Sequence, residues 1–240
     1  MMCLANHNQN TTMKITYLGH SGFLVETATA RIAIDPFLTG NPVATMAAGD
    51  VACDHLILTH GHEDHSGDAE EIAKANDATL ISNHEIAAYF AARGVAKTHG
   101  MNPGGGFNFP FGRVKMTVAH HSSSINAGPD VRYMGVACGI MLEAEGLRIY
   151  HAGDTALFSD MQLIARGGID LALLPIGDNY TMGPDDALDA LEFLKPRLTV
   201  PIHYNTWPPI AQDAEHFAGE ADASGHDVKV LAPGETFDFT

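Results

Sequence analysis

The chain has 240 residues, of which 45% are hydrophobic and 18% are charged, and its formal net charge is −16 at pH 7. This composition is typical of a folded globular protein and excludes a disordered chain. Such an acidic surface repels phosphate backbones and anionic lipids, so we expect neither nucleic acid nor a membrane as partner. Histidine is unusually frequent, with 14 residues against 13 lysines and arginines together.

The predicted elements begin after residues 1–12, which lack the pattern of a signal peptide and which we expect to be a disordered tail because they are polar. Short β-branched and aliphatic runs predict strands at Lys14–Leu18, Phe23–Thr27, Arg31–Ile34, His55–Leu58, Thr79–Ser82, Val114–Ala119, Val136–Leu142, Leu147–Tyr150, Leu171–Leu174, Leu198–Pro201, Val228–Leu231 and Thr236–Phe239. Helical patterns cover Ser66–Asn76, His84–Ala92, Ala156–Arg166, Pro184–Leu194 and Asp213–Ala223. Early strands follow one another through tight turns and later ones alternate with helices. This order favours an α+β fold, with two mixed sheets packed together and helices outside, in one domain over residues 13–240.

Three widely spaced cysteines, Cys3, Cys53 and Cys138, argue against a disulfide framework and against a thiolate zinc site. There is no run of about 18 apolar residues that would span a membrane. We therefore expect a cytoplasmic protein, while the oligomeric state stays open.

The stretch that carries chemistry follows the predicted strand His55–Leu58 and reads His-Gly-His-Glu-Asp-His over residues 60–65. In an extended loop, residues i and i+2 point the same way, so His60 and His62 can bind one cation. Where the chain turns into the following helix, Asp64 and His65 can face a neighbouring cation. A polar loop that is rich in histidine by chance is the alternative, but this density of ligands favours a metal site.

Three other predicted strands also end in residues that can bind metal. They are followed by His120 and His121, by His151 and Asp154, and by His203. Strand ends at one edge of a sheet converge in space, so these side chains can complete the site. Imidazole and carboxylate ligands without thiolate suit zinc, manganese, iron or nickel.

These motifs resemble those of the metallo-β-lactamase superfamily and, within it, those of small metal-dependent hydrolases related to ascorbate-6-phosphate lactonase. The resemblance runs from Met13 to the C-terminus and implies an αββα sandwich. The stretches that carry it are Gly19-His20-Ser21, Ile34-Asp35-Pro36-Phe37, the 60–65 motif, His121-Ser-Ser, His151-Ala-Gly-Asp154-Thr155, residues 175–183 and Pro201-Ile-His203-Tyr-Asn205-Thr206.

The resemblance also implies a ligand set for two divalent cations, of which zinc is favoured and manganese, iron or nickel are the alternatives. The first metal would be held by His60, His62 and His121, and the second by Asp64, His65 and His203, with Asp154 bridging them. His120 is the competing candidate for the role given to His121. Asp35 is expected to support the metal loop without binding the metal itself.

Two cations about 3.5–4 Å apart would supply a bridging hydroxide near neutral pH and polarise the bond under attack. Asp64 can orient the nucleophile or take up its proton, and His20 or His151 can donate a proton to the leaving group. The substrate would be a small ester, lactone, thioester or phosphodiester, and the resemblance favours a phosphorylated one. An iron-dependent redox protein of the same fold, or a metal-binding protein without turnover, is the alternative, because a fold does not determine its chemistry.

Several other residues near these motifs can be read in two ways. Asp178 and Asn205 follow predicted strands and can face the site, although both residue types are also common in turns. Tyr180 and Met182 can form the wall of a pocket or pack in the core. Trp207 is expected to shape a loop near His203.

Overall fold

The computed structural model describes residues 12–240. In chain order its strands are β1 (Met13–Gly19), β2 (Gly22–Glu26), β3 (Arg31–Ile34), β4 (His55–Ile57), β5 (Thr79–Asn83), β6 (Thr98–Met101), β7 (Gly106–Phe109), β8 (Gly112–Val118), β9 (Ser124–Ala127), β10 (Asp130–Tyr133), β11 (Cys138–Ala144), β12 (Leu147–His151), β13 (Leu171–Pro175), β14 (Leu198–Ile202) and β15 (Thr236–Phe239). The helices are α1 (Glu63–Ser66), α2 (Ala69–Asn76), α3 (His84–Ala92), α4 (Met161–Ile164), α5 (Pro184–Leu194) and α6 (Ala214–Ala223). Two 3-10 turns lie at Ala48–Asp50 and Pro208–Ile210.

The strands form two mixed sheets and a separate hairpin. The first sheet has the order β15-β1-β2-β3-β4-β5-β6, the second has the order β14-β13-β12-β11-β8-β7, and β9 pairs only with β10. In the first sheet, the pairs from β3 to β6 are parallel, and in the second the pairs from β12 to β14 are parallel. Parallel neighbours need crossover connections, and α2, α3 and α5 lie in those connections.

The core lies between the two sheets, where apolar side chains of both inner faces interlock, as with Ile15 from β1 and Ile140 from β11. Ile72 of α2 packs on the outer face of the first sheet. Leu191 of α5 and Phe217 of α6 pack on the outer face of the second sheet. The result is a four-layer αββα sandwich, which confirms the predicted fold class.

The predicted strand Val228–Leu231 is wrong, since only an isolated bridge joins Val228 to Thr199 of β14. Thr199 donates to the Asp227 carbonyl and accepts from the Lys229 amide. The next amide of β14 that would extend the ladder belongs to Pro201, which has no N–H. The pairing therefore stops after one bridge.

Two helix predictions also need correction. The Ala156–Arg166 pattern folds as a helix only over α4, and Leu157 and Phe158 pack on the outer cluster of the second sheet from the irregular segment before it. The Ser66–Asn76 pattern is interrupted between α1 and α2, where the Asp68 carboxylate accepts the amides of a neighbouring loop. The sequence pattern did not predict the strands β6, β7, β9 and β10, which contain polar or glycine residues.

In the part of the chain that the structure describes, no helix combines the length and apolar character that crossing a membrane requires. The predicted tail lies outside the described residues except for Thr12.

Candidate metal centre

Five of the seven predicted ligands lie in loops that follow strands of both sheets, while Asp64 and His65 lie in α1, and all meet at one edge of the sandwich. His60 and His62 follow β4, His121 follows β8, Asp154 follows β12 and His203 follows β14. Each loop is held by a strand of the core, so the ligand positions are fixed by the packing of the sheets.

The first group consists of three imidazoles, those of His60, His62 and His121. His60 Nε2 lies 3.0 Å from His62 Nδ1, and His121 Nε2 lies 3.3 Å from the same atom. Burial, and then the neighbouring His65, hold the pKa of His60 well below its ordinary value. Burial also lowers the pKa of His62 and of His121. The group therefore offers neutral imidazoles, which is the form that binds a metal.

The second group contains His20, Asp64, His65 and His203, whose polar atoms lie within 4.8 Å of one another. His203 Nε2 is 3.8 Å and His65 Nε2 is 4.0 Å from Asp64 Oδ2. Burial opposes ionisation of Asp64, but His65 and the hydrogen bond from His20 outweigh it and lower the pKa of this carboxyl. This second group therefore carries an ionised oxygen ligand beside its imidazoles.

Asp154 lies between the two groups and is almost fully buried, with 2% of its surface exposed. Its Oδ2 is 3.0 Å from His203 Nε2 and 3.6 Å from His121 Nε2, so one oxygen approaches both groups. The other oxygen, Oδ1, is 3.2 Å from His65 Nε2. Although burial works against its charge, His203 and His65 hold the pKa of Asp154 well below its ordinary value. This is the position that a bridging ligand requires.

Asp35 supports the metal loop from behind, as the sequence predicted. Its Oδ1 accepts the Thr59 amide at 2.8 Å, and its Oδ2 accepts the Thr59 hydroxyl and lies 2.8 Å from His65 Nδ1. A carboxylate can only accept, so the proton of this contact is on His65 Nδ1. When His65 is neutral, Asp35 therefore keeps its proton on Nδ1, which leaves the lone pair of Nε2 for a metal.

The residues fit a metal site by their chemistry and by what they leave unpaired. Ligands that bind zinc at about 2.0–2.1 Å in a tetrahedron lie roughly 3.3 Å apart, close to the spacing of the first group. His65 Nε2 and Asp154 Oδ1 are buried and lie 3.2 Å apart as an ion pair, and neither makes a further hydrogen bond within residues 12–240. Buried polar atoms normally have hydrogen-bond partners, and a cation between these two would give each of them one.

The structure separates the remaining histidine candidates. His121 joins the first group, whereas His120 is exposed and its ring packs against Phe158. His20 joins the second group, where its Nε2 lies 3.1 Å from Asp64 Oδ2 and its Nδ1 lies 2.7 Å from the Thr206 hydroxyl. Burial lowers the pKa of His20 to about 4, so this imidazole is neutral near pH 7.

The structure does not bring His151 to the ligand atoms of either group. It is fully buried, its Nε2 lies 2.8 Å from the Ser21 carbonyl, and its Nδ1 accepts the Gly153 amide. Both ring nitrogens therefore bind backbone, which leaves none to donate a proton to a substrate. The predicted role as a proton donor is not supported by this placement.

Asp178 and Asn205 form turns instead of facing the site. The Asp178 backbone bonds to Thr181 and Met182, while the Asn205 side chain pairs with the backbone of Gln212. Four residues around the site that are not glycine have a left-handed backbone: His20, Asp35, His203 and Asn205, with φ from 43° to 57°.

A cavity of about 620 Å³ opens over the two groups. Its floor contains residues of both groups, and its walls include Phe37, Thr39, Tyr180 and Trp207. Met182, in contrast, is buried in the core. Sequence reasoning missed Phe37 and Thr39 as wall residues, since a single apolar or hydroxyl residue after a strand has no chemical signature. The Asp35-Pro36-Phe37 motif was the one available signal.

Comparison with known proteins places this geometry in context. A family model described as the beta-lactamase superfamily domain matches residues 14–203. A "UPF0173 metal-dependent hydrolase" of Opitutus terrae is 48% identical over 227 residues, which are 94% of this chain and 100% of that protein. One of Thermus thermophilus is 52% identical over 223 residues, 93% of this chain and 97% of that protein. Among solved structures, Igni18, a metallo hydrolase of Ignicoccus hospitalis, has a TM-score of 0.87 at 40% identity, with 96% of this chain and 99% of that chain covered.

Proposed function

The chain belongs to the metal-dependent hydrolases of the metallo-β-lactamase superfamily, and from this premise we propose that it hydrolyses a small substrate at a centre of two metal ions. The observation that carries the proposal is the position of Asp154 between two separate ligand groups. A single metal site would need only one of these groups. The substrate is an ester, lactone, thioester or phosphodiester.

In this proposal His60, His62 and His121 hold the first ion, and Asp64, His65 and His203 hold the second, with Asp154 shared. Zinc is the favoured metal, since tetrahedral zinc sites take imidazole and carboxylate ligands, and manganese, iron or nickel are the alternatives. When bound, such ions lower the pKa of a coordinated water and polarise the carbonyl or phosphoryl group under attack.

We assign proton transfer to Asp64, which lines the cavity, whereas His20 and His151 do not. The Asp64 carboxylate orients the attacking water, accepts its proton and passes that proton to the leaving group. His20 and Thr206 act behind it: the Thr206 hydroxyl donates to His20 Nδ1, so that His20 Nε2 donates to Asp64. This relay holds the carboxylate in one orientation.

The test combines metal analysis with a panel of lactone, thioester and phosphodiester substrates. We expect about two metal ions per chain and hydrolysis that a chelator abolishes. Asp154→Ala and His121→Ala should lose metal and turnover. His120→Ala is the matched control, since it removes the neighbouring imidazole that lies outside both groups, and it should keep both properties.

Several outcomes would overturn the proposal. Turnover by Asp154→Ala equal to that of the unmodified protein would remove the central residue from the reaction. Bound iron with oxygen-dependent turnover would support a redox protein, and bound metal without any turnover across the panel would support a metal-binding protein.

A further inference from the structure

The cavity above the metal centre has one aromatic wall. Phe37 and Trp207 lie with their rings 5.8 Å apart and tilted, and Trp207 also packs edge-on against His20 at 5.0 Å. Tyr180 forms part of the same lining and is 55% exposed. A substrate whose reactive bond lies at the metal ligands must place its remaining atoms against this wall.

The charges around the cavity are all acidic apart from the histidines. All 13 lysines and arginines of the chain fall within residues 12–240, and none of them lines the cavity. The lining does include Glu63, Asp64 and Asp154. Asp64 and Asp154 belong to the proposed ligand set, while Glu63 is exposed and is a member of neither ligand group.

An anionic group on a substrate normally meets arginine or lysine in its binding site, because these side chains pair with phosphate and carboxylate. Here the metal ions can neutralise charge at the reacting bond only. A second anionic group, remote from that bond, would lie against aromatic rings and near the Glu63 carboxylate, without a counter-charge. It would lose hydration and gain repulsion.

We propose that the part of the substrate remote from the scissile bond is neutral and apolar, an aryl or alkyl group, and that substrates with a terminal phosphate or carboxylate are rejected. This inference rests on the proposed hydrolase function and narrows its substrate class. It departs from the phosphorylated substrate that the sequence resemblance favoured.

The experiment compares three γ-lactones that have the same ring and side chains of equal length. One side chain ends in a methyl group, one in a carboxylate and one in a phosphate monoester. We expect kcat/KM to be about a hundredfold higher for the neutral lactone, chiefly through KM, as is typical when a charge is buried unpaired.

A cation added to the wall should change this preference. Tyr180→Arg should reduce the ratio of kcat/KM for the neutral lactone to kcat/KM for the anionic lactones about tenfold, which is the effect of one partly screened charge pair. Tyr133→Arg is the matched control, because Tyr133 is also an exposed tyrosine but lies outside the cavity lining. This control should leave the ratio unchanged.

Binding can be followed without turnover, because Trp207 is the only tryptophan of the chain and it lines the cavity. Cyclopentanones with the same three side chains cannot be hydrolysed, and the neutral one should alter Trp207 fluorescence at about a hundredfold lower concentration. Fluorescence selectivity without any lactone hydrolysis would overturn the hydrolase proposal but support this inference. The inference would be overturned if kcat/KM were equal or higher for the anionic lactones than for the neutral one. It would also be overturned if the three cyclopentanones bound equally well or not at all.

Discussion

Replacing Asp35 by asparagine tests how the buried carboxylate controls the metal loop. Asp35 is fully buried and accepts hydrogen bonds from the Thr59 amide, the Thr59 hydroxyl and His65 Nδ1. The asparagine oxygen can keep the amide bond, but its NH₂ group then faces the other two donors. The His65 ring can bond to this group only if its proton moves from Nδ1 to Nε2, the atom that should bind the metal.

The size of the effect follows from these contacts. A hydrogen bond to a charged group contributes about 1.5–3 kcal/mol, and a buried donor left unsatisfied costs roughly 1–3 kcal/mol more. We therefore expect Asp35→Asn to lower the free energy of unfolding of the metal-free protein by about 3–5 kcal/mol. Loss of the correct His65 tautomer should weaken metal binding about 10- to 100-fold.

The assays are denaturant unfolding after chelation and metal affinity by competition with a chromophoric chelator. Asp68→Asn is the control, because Asp68 is also buried and accepts the Leu38 and Thr39 amides but lies in neither ligand group. It should lower stability while leaving metal affinity unchanged. Unchanged affinity in Asp35→Asn, or an equal loss of affinity in Asp68→Asn, would refute the tautomer argument.

Two further predictions concern His203 and the loop beside it. Burial opposes the charge of His203, but Asp154 outweighs it and raises the pKa of His203 to about 9. Protonated His203 therefore stabilises the folded protein, fully at pH values below its unfolded pKa of about 6.5. This contribution is lost as the pH rises through 9, so the Tm of the metal-free protein should fall between pH 6.5 and 9. The fall should be weaker in His203→Gln, and a Tm that rises over this interval would contradict the assignment. Gly177→Ala should lower the free energy of unfolding by about 1–3 kcal/mol, because the new Cβ would overlap the His203 carbonyl oxygen. The measurement is chemical unfolding, and an unchanged midpoint would show that the loop can move aside.

The motif of residues 60–65 and the metal-capable residues after three other strands are local features of the sequence, whereas their assignment to two ligand groups came from the resemblance. The preference for His121 over His120 came from the resemblance, because the two residues are adjacent after the same strand and the strand pattern alone left both open. The sequence predicted His20 as a site residue but not its contact with Thr206, because the two residues are 186 positions apart. The same reason applies to the wall that Phe37 forms with Trp207.

The errors in secondary structure also have physical causes. Val228–Leu231 has the composition of a strand, but Pro201 in the neighbouring strand removes the donor that would extend the pairing. The hairpin of β9 and β10 was missed because β10 is exposed along its whole length and has no buried face to produce an apolar alternation. Tertiary pairing, rather than local pattern, decides both cases.

The left-handed loops around the site have a consequence for engineering the protein. A side chain in this backbone region costs about 1–2 kcal/mol relative to glycine, and four such residues border the metal ligands. Glycine would relieve this strain at His20, Asp35, His203 and Asn205, but it would also remove the hydrogen bonds and ion pairs that their side chains make. Three of these replacements would remove a side chain of the metal site or its support. The usual replacement of strained residues by glycine should therefore fail to stabilise the protein at these positions, and a stabilised variant should keep them.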